Sequence, residues 1–370
     1  MSAAPSTVAG RVAGDSPVRV WALPSRERLR RQLDRAGAGA PEAITVRTVI
    51  LRADWVYDDA IVRGLVTANA DVGLVAPNGQ CIGANVLTER ADETMAAVEG
   101  GALPAAVSPI PAEKVADGYN DALRKREPPY LMPLTAENLP DIEHRVFGGA
   151  YKGVTDLVTL YAWPAPARAA TRWCAHRGIT PNQVTFASLL LVLAAMALFW
   201  HGHYVLGLLA AWPMTFLDTV DGKLARVTIT STKFGNVFDH GIDLIHPPFW
   251  WWAWIVGLSA AGLPLDSPGL VLTVIVAGYV LQRLEEGIFI AWFKMEMHVW
   301  TWFDSKFRLI TARRNPNLLI LTVFTLFGRP DIGIVVVAWW VAICLVMHGV
   351  RIVQAAQARR AGPLRSWLQA

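Results

Sequence analysis

Six apolar runs, at residues 184–200, 204–217, 237–258, 270–293, 318–327 and 332–350, are each followed by a polar or Gly/Pro break. About 20 apolar residues in a helix cross the roughly 30 Å hydrocarbon layer of a bilayer, so the pattern reads as spanning helices joined by short loops. The run at 318–327 is too short alone. It borrows the preceding TARRNPN turn, whose Arg313 and Arg314 can reach the interface with their long side chains. Residues 1–150 mix polar and apolar positions as soluble domains do, although the chain as a whole is 53% hydrophobic with 16 Trp. The expected fold is an α-helical polytopic membrane protein with six transmembrane helices, preceded by a small soluble α/β domain.

Basic residues orient the spans. The segment before the first run, the 218–236 link with Lys223, Arg226 and Lys233, the 294–314 link and the tail with Arg351, Arg359, Arg360 and Arg365 are basic, while the opposite links hold one Arg between them. The positive-inside rule then puts both termini and the 218–243 stretch on the cytoplasmic side of an inner, cytoplasmic membrane. A net charge of +4 without an aromatic-interleaved basic patch excludes nucleic acid as a partner. Cys81, Cys174 and Cys344 are scattered, so neither a disulfide framework nor a zinc site is expected.

The stretch DTVDGKLARVTITSTKFGNVFDHGID, residues 218–243, sets four aspartates at the edges of two runs. A carboxylate beside a span is usually a loop residue at the water interface. Here Asp218 and Asp221 are three apart and Asp239 and Asp243 four apart, so each pair shares one helix face. Two helices joined by a short link bring the four together, which is tolerable only around cations. An all-oxygen site suits Mg2+ or Mn2+. Gly222, Ala225 and Gly235 leave these faces without bulk.

At eight fixed positions, Asp218, Asp221, Gly222, Ala225, Arg226, Gly235, Asp239 and Asp243, the stretch resembles the signature of the CDP-alcohol phosphotransferase family, and GITPNQVT at 178–185 resembles that family's usual opening. The resemblance covers roughly residues 150–355. It implies a six-helix membrane enzyme, generally a homodimer, that takes a CDP-alcohol donor and an alcohol or polyol phosphate acceptor. CMP is released and the substituted phosphate is joined to the acceptor hydroxyl. By that resemblance Asp218, Asp221, Asp239 and Asp243 hold two divalent ions, Asp243 is the general base, and Asp218, Asp221, Gly222, Ala225, Arg226 and Gly235 line the CDP site. CDP-diacylglycerol is the favoured donor, and a CDP-inositol-like donor with an inositol phosphate or lipid acceptor is the variant.

For the acceptor, QRLEEG puts Arg283 and Glu286 on one face of the fourth span, and DSKFRLITARRNPN offers Lys306, Arg308, Arg313 and Arg314 as phosphate binders. A structural ion pair and anionic lipid headgroups are the competing explanations. HPPFWWWAW at 246–254 reads as an aromatic belt with a proline kink, and His201, His203, His240 and His246 are left without a metal role.

In the first 125 residues, VRVWAL, ITVRTVILRAD and VGLVAP read as strands, and SRERLRRQLDRAG and DAIVRGLVTAN as helices between them. This suggests a small parallel α/β layer. VILRADWVYDDAIVRGL resembles the strand-Asp-helix segment of sugar-type nucleotidyltransferases, with Asp54 at their metal position. RVWALPSRERLRRQLDRAG lacks their Gly-rich loop, so a degenerate domain without CTP-dependent activity is expected. The domain plan is a flexible tail at 1–17, the α/β domain at 18–125, a linker and amphipathic juxtamembrane segment at 126–180, the six-helix domain at 181–355 and a basic tail at 356–370. Two other functions are compatible with intramembrane carboxylates: a transporter, which would show flux without CMP release, and an interaction protein with decayed chemistry.

Overall fold

In the computed structural model, which describes residues 8–39 and 45–369, the polar N-terminal stretch builds a five-stranded sheet. Its strands are β1 (Val8–Ala13), β2 (Arg47–Arg52), β3 (Val72–Val75), β4 (Cys81–Leu87) and β5 (Ser108–Pro111), in the order β1-β2-β4-β3-β5. β1 runs parallel to β2 and β3 to β5, but β4 is antiparallel to both its neighbours. The sheet is therefore mixed, not parallel. β4 reads CIGANVL, whose Gly, Ala and Asn give little strand signal although six of its seven residues are buried.

Helices cover both faces. On α1 (Ser25–Ala36) Leu29 and Leu33 point inward one turn apart, and the helix stops at Gly37, whose φ of 95° is open to glycine. α2 (Asp59–Thr67) is capped by Asp58, which accepts from the Ala60 N–H at 2.9 Å. Both helices pack with Val49, Leu51 and Leu74, while Ile50, on the opposite face of β2, packs with Val98 of α3 (Ala91–Val98). Burial on both faces explains why TVILR is apolar without alternation.

Several sequence boundaries shift. Residues 8–13 of the expected tail are the edge strand β1; Gly10 lets α1 approach, since a Cβ there would lie 3.0 Å from the Ala38 carbonyl and 3.1 Å from Leu33. Residues 1–7 lie outside the described residues. VRVWAL is not one strand but a tight hairpin, Arg19–Val20 against Leu23–Pro24, turning at Trp21 (φ 52°) and Ala22 (φ 61°). Burial of Trp21 against Phe147, with its N–H donated to Glu143 at 3.0 Å, holds this turn against strand propensity. The linker is largely structured. Leu131–Pro133 pairs with Trp55–Tyr57, and α4 (Leu139–Gly149) buries Ile142, Val146 and Phe147. The first compact unit accordingly includes Arg126–Tyr151, together with Arg226–Ile229.

The second unit is helical: α5 (Pro164–His176), α6 (Pro181–Trp200), α7 (Tyr204–Val227), α8 (Lys233–Ala260), α9 (Pro268–Phe293), α10 (Trp302–Phe307), α11 (Arg314–Leu326) and α12 (Pro330–Arg359). α5 lies within the expected 126–180 juxtamembrane segment and buries Ala167, Thr171 and Cys174. Among the described residues, α6 and α12 are apolar and long enough to cross a membrane. α11 has 13 residues, as its short apolar run implied.

The core of this unit is aromatic. Phe199, Tyr204, Trp250 and Trp254 stack together; the Tyr204 hydroxyl donates to the Trp254 carbonyl at 2.9 Å and the Trp250 indole to the Val192 carbonyl at 3.0 Å. Three of the four tryptophans in HPPFWWWAW are thus core, and only Trp252 faces outward. The Trp254 indole likewise donates to a carbonyl, that of Pro330 at 3.1 Å.

Candidate active site

α7 and α8 carry the aspartates. Thr232 caps α8 by accepting the Gly235 N–H at 3.0 Å, and a Cβ at Gly235 would come within 2.7 Å of Asn182 Oδ1. Gly235 therefore lets the start of α8 lie close to the start of α6, where Thr180 and Gln183 form a capping box.

Asp218, Asp239 and Asp243 each bring a carboxylate oxygen within 4.8 Å of the others'. Asp221 is 3% exposed; its Oδ2 accepts from the Thr185 hydroxyl at 2.5 Å, while its Oδ1 is buried with no hydrogen-bond partner. Three converging carboxylates and an orphaned buried carboxylate oxygen fit a divalent cation with oxygen ligands. Asp243 is the most open of the group that converges, with a side chain 43% exposed against 18% for Asp218 and 30% for Asp239.

Arg314 was expected among the phosphate binders. Its guanidinium donates from Nη2 to Asp218 and from Nη1 to Asp243, bridging the two helices' carboxylates from the first turn of α11. Ala225 stays on α7, accepting the Thr230 N–H at 2.9 Å, and Arg226 Nε donates to the Ala150 carbonyl at 3.0 Å within the first unit. Gly222 follows Asp221 in the middle of a helical turn of α7.

The other acceptor candidates divide. Glu286 pairs with Arg313 and, at 3.6 Å, with Arg283, whose guanidinium also lies 5.1 Å from the Tyr279 ring. His298 Nε2 meets Glu286 at 3.1 Å. Burial depresses His298 below its ordinary value, so the neutral ring presents an N–H to the carboxylate. Arg308 has Nε and Nη1 buried without hydrogen-bond partners, as is Arg313 Nε. Burial pulls the Arg308 pKa down, the mark of a desolvated cation that lacks an adequate counter-ion. Lys306 stands apart, exposed, with its ammonium 5.5 Å from the Trp302 ring. Glu286, His298 and His348 also bring ligand atoms within 4.8 Å. Arg283 and Arg313 already surround that carboxylate with positive charge, which opposes a cation there.

Sequence reasoning missed Thr185, His298 and the placement of Arg314. Thr185 lay in view inside GITPNQVT, but the contacts of His298 and Arg314 have no periodic signature.

The chain resembles known proteins over this helical part. The family profile of CDP-alcohol phosphatidyltransferases matches residues 178–304. Archaetidylinositol phosphate synthase of Pyrococcus horikoshii is 37% identical over 173 residues, 47% of this chain and 83% of that protein. Phosphatidylinositol phosphate synthase of Mycobacteroides abscessus is 33% identical over 114 residues, 29% of this chain and 51% of that protein. Cholinephosphotransferase 1 of Xenopus laevis is 29% identical over 144 residues, 35% of this chain and 34% of that protein. The alignments thus span about half of the mycobacterial relative and a third of the amphibian one, but most of the archaeal one. The chain belongs to the CDP-alcohol phosphatidyltransferase family.

Proposed function

We propose that this protein is an integral membrane transferase that cleaves a CDP-linked lipid and transfers its phosphatidyl-type group to the hydroxyl of a phosphorylated polyol, releasing CMP. The observation that carries the reading is the convergence of Asp218, Asp239 and Asp243 beside the orphaned Asp221 Oδ1. These four would hold two divalent ions, Mg2+ or Mn2+, which supply charge neutralisation to the pyrophosphate and to the CMP that leaves. Asp243, the more open carboxylate, accepts the proton of the acceptor hydroxyl. That oxygen bonds to the phosphorus bearing the lipid alcohol, and the P–O bond to CMP breaks with its electron pair on CMP. Gly222, Ala225, Gly235 and Arg226 would line the CDP side.

The phosphorylated acceptor is supported by Arg308 and Arg313, whose buried N–H groups lack partners near Glu286. Two relatives named for phosphatidylinositol phosphate and archaetidylinositol phosphate point the same way. Six helices, α6 to α9, α11 and α12, would cross the cytoplasmic membrane with the site on the cytoplasmic side, as the basic links favour, and the enzyme would work as a homodimer. The first unit reads as a degenerate nucleotidyltransferase-like domain.

The test is CMP release by purified protein in detergent with Mg2+ or Mn2+, across CDP-diacylglycerol and CDP-polyol donors, each with and without a polyol phosphate. Asp239→Asn serves as the blank. Acceptor-dependent CMP from the lipid donor supports the reading. CMP from a CDP-polyol alone transfers it to the soluble-donor variant, and none above the blank refutes it.

A further inference from the structure

The last described residues fold back onto the second unit. Beyond Arg359, Leu364 packs with Phe289, Phe293 and Met297. Ser366, 2% exposed, donates from Oγ to the Val299 carbonyl at 2.6 Å. The Trp367 backbone N–H donates to the Trp300 carbonyl at 3.1 Å, and its indole N–H to Ser305 Oγ at 2.9 Å. Ser305 Oγ in turn donates to the His298 carbonyl at 2.7 Å. His298 holds Glu286, and Glu286 holds Arg313. An unbroken chain of polar contacts runs from the tail to an arginine of the acceptor cluster.

The segment that receives the tail cannot hold its own shape. Between α9 and α11 it consists of a 3-10 turn (Met297–Val299) and the six-residue α10, far below the length at which a helix is stable alone. It is gripped from the other side by α12: Arg351 donates to Asp304 Oδ1 at 2.6 Å and Oδ2 at 2.8 Å, with its guanidinium 4.3 Å from the Trp300 ring. The same segment carries His298 and Arg308, both with buried polar groups whose direction depends on the backbone beneath them.

We infer that Ser366 and Trp367 are positioning residues of the acceptor site, strapping the 297–309 segment so that His298, Glu286, Arg313 and Arg308 are held ready for the acceptor's phosphate. The inference rests on the acceptor reading above. Neither residue touches the acceptor; each acts through Ser305 and the backbone of residues 298–300. Loss of the strap therefore lowers acceptor affinity while the aspartates, on α7 and α8, keep their geometry.

Trp367→Phe removes the indole N–H and keeps an aromatic ring; Trp367→Ala and Ser366→Ala remove more. In acceptor-dependent CMP release, the KM for the polyol phosphate should rise about threefold in W367F, which loses one hydrogen bond, and about tenfold in W367A, which loses the same bond and the packing of the ring. Donor KM should stay within about twofold. Amide hydrogen exchange across residues 297–309 should quicken in parallel. An unchanged acceptor KM in W367A, or donor and acceptor KM values rising together, overturns the proposal. If wild-type protein gives no acceptor-dependent CMP, the transferase reading fails by itself and exchange decides the rest: faster exchange in W367A keeps the strap and removes its acceptor role, and unaltered exchange removes both.

Discussion

Asp243 and Arg314 meet at one contact, and two substitutions separate their roles. Asp243→Asn keeps the shape and one oxygen at the donor side but cannot take a proton. CDP-alcohol affinity should change little while kcat falls at least about 100-fold, read by calorimetric titration beside CMP release; wild-type turnover would end the base assignment. Arg314 serves the same carboxylates as a protein-borne cation. Arg314→Ala leaves Asp218 and Asp243 facing each other, costing on the order of 2 kcal/mol, below the figure for a fully buried pair because Asp243 is 43% exposed. In EDTA its melting temperature should drop, and Mg2+ should restore most of the loss, a larger gain than wild type shows. Equal gains in the two proteins would mean that Arg314 and the metal do not share these oxygens. The four aspartates were legible because spacings of three and four are helical neighbours. Arg314 was not, because it stands 96 and 71 residues from its partners, and only the packing of α11 brings it there.

Helix contacts in the second unit are tightest where α6 and α8 meet. A Cβ at Gly257 would sit 1.9 Å from the Phe199 carbonyl oxygen, which is backbone and cannot swing aside. Gly257→Ala must push the helices apart, loosening the Tyr204–Trp254 and Trp250–Val192 hydrogen bonds beside it, at a cost of about 3 kcal/mol. Gly269, near the start of α9, has nothing within 4 Å of such a Cβ. There Ala should stabilise slightly through helix propensity. Apparent melting temperatures in detergent should move in opposite directions, and a similar loss in both would show that the close approach is not what matters. Elements with a local cause could be read in advance: the apolar runs became α6 to α9 and α12. Elements with a tertiary cause could not. β4 is a strand because its neighbours bury it on both faces, the Trp21 turn exists because Phe147 and Glu143 receive it, and the tail docks because Ser305 and Val299 accept its donors.

At the scale of the whole molecule, the outstanding question is whether the α/β unit makes the CDP-alcohol that the helical unit would consume. Nucleotide triphosphates are held by successive backbone N–H groups of a Gly-rich loop between the first strand and helix. Here the chain from β1 to α1 carries one glycine, Gly14, and then closes as a hairpin with Trp21 1% exposed at its turn. The backbone N–H of Trp21 is already spent on Glu143. Asp54 has both oxygens engaged by Arg52, at 2.6 and 2.8 Å, so a cation would have to displace a bidentate guanidinium. Full-length protein given CTP, Mg2+ and a polyol phosphate should accordingly release no pyrophosphate above a control without enzyme, while the same preparation releases CMP from a supplied CDP-alcohol. Pyrophosphate release that survives Asp239→Asn and disappears with Asp54→Asn would place a working nucleotidyltransferase in the first unit. The protein would then make its own donor, and CDP-polyols would displace CDP-lipids as the substrates to test first.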